Sequence, residues 1–170
     1  MTSTALLPLP RRSPALPAIF WGGFSSGALD ITAAFVVYGS FGLKPIPLLQ
    51  GIASGLLGAR AWGGGLATAA LGLFFHFFIA FSATAVYYAG SRWQPFLLRQ
   101  TLLSGALYGA VVYFFMDHIV VPLSATRKHP FSVEMMLVGL IIHTFCVGLP
   151  IAIATRRFAP VRPLGVHTTS

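Results

Sequence analysis

Three ionisable residues lie inside long apolar runs. Asp30 sits in "SSGALDITAAFVVYG", His76 in "GLFFHFFIAF" and His143 in "LIIHTFCVG". Asp30 falls about 13 residues into the first run, roughly 20 Å from its start at the rise of an α-helix. An acid at that depth in hydrocarbon costs at least ~2.5 kcal/mol, so something must offset it. Removal from water favours the neutral form of any carboxyl, and a carboxyl that exchanges its proton becomes a carrier. The same group can instead hydrogen-bond across helices, worth about 0.6–2 kcal/mol. Both histidines fall in the middle third of their runs, and Asp30 lies somewhat nearer the outer end. An Asp–His–His cluster could therefore form, and it could relay protons, since imidazole titrates near neutral pH. Two imidazoles could also hold a haem iron, which makes a membrane redox protein with His76 and His143 as ligands an alternative. The structural alternative is that each imidazole bonds a helix carbonyl or a hydroxyl such as that of Thr144.

A second group gathers in "FFMDHIVVPLSATRKHPFSVE", which holds Asp117, His118, Arg127, Lys128, His129 and Glu134. Asp117 paired with Arg127 or Lys128 is the ordinary expectation, and an entry point for cations or protons is the functional one. Tyr113 precedes Asp117 by one helical turn, which would permit a hydrogen bond between them. Glu134 opens an apolar run, where a carboxylate suits the positive end of a helix dipole.

The elements that carry these residues follow from composition. The chain has 170 residues, of which 56% are hydrophobic and 8% charged. Soluble domains carry about 25% charged residues, so a membrane protein is indicated. Four segments are long enough to cross a bilayer core that needs about 20 residues: 17–41, 66–89, 97–121 and 133–155. Pro122 closes the third, and Pro150 should kink the fourth. Between the first two, "PIPLLQGIASGLLGARAW" is too short and too rich in glycine to span and reads as an interfacial or re-entrant helix. Trp21, Trp62 and Trp93 flank the spans as an aromatic belt would. The expected fold is all-α: an integral membrane bundle of four transmembrane helices plus that short helix. Residues 1–16 and 156–170 are expected to be flexible tails around one transmembrane domain, 17–155. Arg11-Arg12 ahead of an apolar run has the layout of a signal peptide, but the run to Gly42 is too long for one.

The net charge is +8. The basic residues lie singly or in pairs beside apolar runs, which fits positive flanks of spans and not nucleic-acid binding. Seven of the 11 fall on the side of the chain ends, so both termini are expected in the cytoplasm of a bacterial inner-membrane protein. Cys146 is the single cysteine, which excludes an intramolecular disulfide and a thiolate cluster. No resident cofactor and no metal are expected. Phosphate-binding loops, dinucleotide fingerprints, HExxH and GxSxG are absent from the sequence, so an enzyme is not the expected class. Small-residue pairs, Gly23/Gly27, Gly51/Gly55 and Gly105/Gly109, have the spacing that lets helix backbones approach.

The runs "SGALYGAVVYFFMDHIVVPLSA", "ASGLLG" and "ALGLFFHFFIAF" resemble small bacterial inner-membrane proteins with four spans. There is also a distant likeness to the YagU-like (DUF1440) group, through the small-residue start of the third span and its polar end before proline. The resemblance implies bacterial origin and defines no catalytic residue. The layout of four short spans with an acid in the first also parallels the small multidrug resistance transporters, whose motifs the chain lacks. A small proton-linked transporter or channel centred on Asp30 is the leading expectation. It would act in the lipid bilayer, and because four spans enclose little volume a homo-oligomer is the expected form. The alternative is an accessory membrane protein with Asp30 and the histidines as interhelical hydrogen-bond groups.

Overall fold

The computed structural model describes residues 13–127 and 132–158. Their order is α1 (Ala15–Ser40), α2 (Pro45–Leu57), a 3-10 turn (Gly58–Gly63), α3 (Gly65–Trp93), α4 (Phe96–Arg99), α5 (Thr101–Phe115), a π-helical turn (Met116–Val120), α6 (Val121–Leu123), α7 (Val133–Ile142), a second π-helical turn (His143–Gly148) and α8 (Leu149–Phe158). No strand occurs among the described residues. Four helices are long and apolar enough to cross a membrane: Ala15–Ser40, Gly65–Trp93, Thr101–Leu123 and Val133–Phe158. The protein is an all-α multi-pass membrane bundle. Helices suit this setting because they satisfy every backbone polar group internally.

The fourth span runs to Phe158, so Arg156 and Arg157 are helical and do not belong to a tail. Arg156 reaches across to the start of the third span, where its Nη1 donates to Thr101 Oγ1 at 3.2 Å. Arg11, Arg12, Lys128, His129 and Arg162 lie outside the described residues.

Glycine sets how the spans meet. A methyl group on Gly105 would lie 3.1 Å from the Gly148 carbonyl oxygen, and one on Gly148 would collide with the Gly105 carbonyl. Gly109 packs in the same way against the His143 carbonyl. On α1, Gly23 lies under the Phe81 ring and Gly27 under Phe77. The pairs Gly23/Gly27 and Gly105/Gly109 are thus close-approach points within one bundle. Gly51 and Gly55 are not, since a methyl on either meets its neighbours at ordinary distances of 3.7–3.8 Å.

α2 leans on the beginning of α3. Gly72 admits the Leu49 backbone, and Gln50 Nε2 donates to the Gly65 carbonyl at 3.1 Å. Its far end is tied to the loop after α6: the Ala125 amide donates to the Gly55 carbonyl at 2.8 Å, and Ser54 and Thr126 share a hydroxyl bond of 2.7 Å.

Both π-helical turns end two residues before a proline, Pro122 and Pro150. Proline has no amide hydrogen, and its ring presses on the carbonyl four residues back. Widening the preceding turn relieves that clash. The kink expected at Pro150 therefore takes the form of a π turn that begins at His143.

The two ends of the bundle differ. At the termini end lie the start of α1, the end of α3, the start of α5 and the end of α8. Here the buried side chains include Ala18, Ser26, Thr84, Tyr87, Ser104, Ile151 and Ala152. Tyr87 is 2% exposed. Its hydroxyl donates to the Leu97 carbonyl at 3.0 Å, lies 2.8 Å from Ser104 Oγ, and its ring meets Tyr108 edge-on at 4.9 Å. At the loop end, no residue of α6, α7 or the turn Met116–Val120 is buried.

Candidate functional site

Asp30, His76 and His143 come from α1, α3 and the π turn of the fourth span, and they meet. Asp30 lies 10 residues before the end of α1, and His143 lies 10 residues after the start of α7, each about 15 Å along its helix from the loop end. His76 lies 11 residues into α3, at nearly the same depth. His76 Nδ1 is 3.9 Å from Asp30 Oδ2, and His143 Nδ1 is 4.0 Å from Asp30 Oδ1. The three side chains keep 11–23% of their exposure. Both separations exceed hydrogen-bond length, and a modest side-chain rotation closes either.

Each imidazole also holds a backbone carbonyl. His76 Nε2 lies 2.8 Å from the Gly27 oxygen on α1, and His143 Nδ1 lies 2.9 Å from the Gly139 oxygen on its own span. A carbonyl only accepts, so those two nitrogens carry hydrogens. Neutral His76 then turns a bare Nδ1 toward Asp30, whereas the Nδ1 hydrogen of His143 is held by the Gly139 carbonyl and that nitrogen stands 4.0 Å from the carboxyl. The carboxyl therefore has one imidazole nitrogen able to accept its proton, that of His76, and a second imidazole beside it.

Local sequence explains the placement. Gly27 lets α3 come close and leaves its carbonyl open to His76 across the interface. Gly109 meets the His143 carbonyl, so the π turn is seated on α5 at that point. Tyr113 fills the space left by Gly139 and meets the His143 ring edge-on at 5.4 Å. Tyr38 on α1 and Cys146 in the π turn are the further titratable side chains of the elements that carry Asp30 and His143. Tyr38 and Cys146 escaped the sequence reading. Their spacings, eight residues after Asp30 and three after His143, place them near the same helix faces and could have revealed them.

The second predicted group is only partly assembled. Asp117 pairs with its neighbour His118, Oδ2 to Nδ1 at 3.4 Å, on a surface where the two side chains are 47% and 62% exposed. No Asp117–Arg127 pair forms among the described residues, because Arg127 points into a separate hollow of about 310 Å³ with Trp62, Ser54 and Thr126. Lys128 and His129 lie outside the described residues. Tyr113 lies one turn before Asp117, yet its ring packs on His143 and Gly139. Glu134 stands in the first turn of α7, which Ser132 caps by accepting from the Met135 amide at 3.4 Å. This is a helix-start role, remote from the cluster.

Among the described residues, no group of three or more His, Cys, Asp or Glu side chains has the arrangement of a metal site. Both nitrogens of His76 already face protein oxygens. No family model, no curated protein and no solved structure matches the chain.

Proposed function

We propose that this chain is a small proton-linked membrane transporter in which Asp30, His76 and His143 hold and pass the coupling proton. One observation carries the proposal: the acid deepest in the bundle lies within 4.0 Å of two imidazoles supplied by two other spans, and one of them turns a bare nitrogen toward it. A proton taken by Nε2 of His143 makes an imidazolium. Once its Nδ1 hydrogen leaves the Gly139 carbonyl, the ring can release it to Asp30 Oδ1. The carboxyl turns so that this same hydrogen faces His76 and gives it to Nδ1, and the Gly27 carbonyl steadies the new imidazolium at Nε2. Each step moves one proton: Asp30 returns to a carboxylate, and His143, left with its hydrogen on Nε2, returns to its starting tautomer before it loads again.

Beyond the cluster toward the termini end stand hydroxyls, those of Ser26, Thr84, Tyr87 and Ser104, and no acid. Among the described residues, a proton that reaches His76 has no acid or imidazole further on, only hydroxyls already bonded to backbone carbonyls. Such a site binds and releases its proton when the bundle rearranges, as a carrier does. The excess of basic residues at the termini end favours that end in the cytoplasm, in a bacterial inner membrane. With four spans, a substrate path forms most readily beside a second copy of the chain.

Proton entry into liposomes, read by a trapped pH dye, tests the proposal. Wild type should carry flux, and Asp30→Asn should lose it while keeping its helicity and its elution as a folded species. Flux that survives in Asp30→Asn would refute it. The second reading, a structural protein held by interhelical hydrogen bonds, draws on the His76–Gly27 bond at 2.8 Å. It predicts that Asp30→Asn changes stability and no flux.

A further inference from the structure

The cluster does not stand alone. On its loop side stand Tyr113 and the exposed Asp117 and His118; on its termini side stand hydroxyls already bonded to backbone carbonyls, those of Ser26, Thr84, Tyr87 and Ser104. The burial pattern of three of the four spans has the same direction; α3 differs, because Ala69 and Gly72 near its loop end are buried, with Gly72 under α2. In α1 the last buried residue is Ile31, and in the third span it is Gly109. In the fourth span the first buried residue is Val147. These positions bracket the depth of Asp30 and His143. Below that level the spans are packed on glycine and on the Tyr87–Ser104 bonds. Above it, no residue of α6, α7 or the Met116–Val120 turn is buried, although Tyr113 still packs on Gly139.

We propose that the cluster is fed from the loop end alone, and that Tyr113 is the residue that passes protons between the exposed Asp117–His118 pair and His143. This rests on the proton reading above. Tyr113 touches the His143 ring and seats on Gly139, the residue whose carbonyl holds His143 Nδ1. That hydrogen bond leaves Nε2 as the His143 nitrogen able to take a proton. Asp117 follows Tyr113 by one turn on the same span, nearer the loop end, and pairs there with His118. The titratable groups around the cluster are therefore Asp30 and Tyr38 from α1, His76 from α3, Tyr113 from the third span, and Cys146 beside His143. Those nearer the loop end lead to Asp117 and His118. A phenol passes a proton without ionising: its oxygen accepts one hydrogen as its own hydrogen leaves for His143. At these spacings water completes the path, and the partly exposed loop end can admit it.

Two measurements decide the matter. In the flux assay, Tyr113→Phe keeps the ring that packs on Gly139 and removes only the hydroxyl. Flux should fall by about a hundredfold or more, the usual scale for loss of a proton-transfer group. The neighbouring Phe114→Leu should leave flux unchanged. Unchanged flux in Tyr113→Phe beside an active wild type would overturn the route and leave the Asp30 proposal standing. No flux in the wild type would sink that proposal instead, and the second measurement would still judge the route. In a Cys146→Ser background, Tyr113→Cys, Asp117→Cys and Ser104→Cys are each exposed to a membrane-impermeant maleimide in sealed vesicles. Positions 113 and 117 should react from one and the same face, and position 104 only after denaturation. An unreactive position 113, or a position 104 that reacts as fast, would overturn the one-sided opening.

Discussion

At the termini end of this bundle, backbones touch through Gly105, Gly109 and Gly148, and the hydroxyls of Tyr87 and Ser104 converge on the Leu97 carbonyl. At the loop end, the same spans carry no buried residue over α6 and α7, and their polar groups are exposed or aimed inward at Asp30. The termini end is built for contact; the loop end divides into a part closed by α2 on the start of α3 and an open face made by the third span and α7. The candidate site lies where the two regimes meet, which is where a bound proton can be reached from one side and withheld from the other.

The contrast breaks most readily at Gly148. A side chain there collides with the Gly105 carbonyl and the Gly109 backbone, neither of which can move as a flexible side chain would. Overpacking a fitted contact costs typically about 1–3 kcal/mol, and a branched side chain against backbone should exceed that. Gly148→Leu should therefore fail to give a monodisperse folded protein in detergent, or should melt far below wild type. Because Gly109 also seats the His143 carbonyl, any folded remainder should lose proton flux as well. A Gly148→Leu protein of normal melting temperature would show that the termini end is not closed by backbone contact.

Tyr87→Phe tests the same end more gently. The ring stays and its contact with Tyr108 survives, but the hydrogen bonds to Leu97 and Ser104 are lost. Ser104 Oγ still donates to the Leu97 carbonyl at 2.9 Å, so no buried acceptor is stranded. The expected loss is about 1 kcal/mol, the net value of one hydrogen bond, read as a lower midpoint of thermal or denaturant unfolding. A loss above about 3 kcal/mol would mean that the hydroxyl network, and not glycine packing, closes this end.

Much of the fold was legible in the residues, because a chain with so few charges must bury its backbone in helices and the spans announce themselves by length. The depth of Asp30, His76 and His143 was legible for the same reason. Their facing was not. A helix that is apolar around its whole circumference shows no stripe from which to read which side meets a neighbour. The π turn at His143 adds a residue to the register and re-aims everything before it. Pro150 marked a disturbance there without revealing its form. The Asp117–Arg127 pair failed for a local reason. The loop folds back on α2 through Gly55 and Ser54, which carries Arg127 toward Trp62 and away from the third span.

The smallest effect is expected at the loop end, and it sharpens the contrast because it should be nearly nothing. Gly39 sits in the last turn of α1, and a methyl group placed on it would meet no atom within 4 Å. Its backbone angle is not in the left-handed region, unlike that of Gly42 nearby, with φ of +84°. Alanine there closes no gap and strains no bond, while it restricts the unfolded chain. Gly39→Ala should therefore be neutral or stabilise by up to about 1 kcal/mol, and proton flux should not change. Gly148 and Gly39 are the same residue type in spanning helices, so the difference between them isolates the environment. If Gly39→Ala cost as much as a substitution at Gly148, the loop end would have to be packed against something. A second copy of the chain would then be the first occupant to seek, by measuring whether the penalty depends on protein concentration.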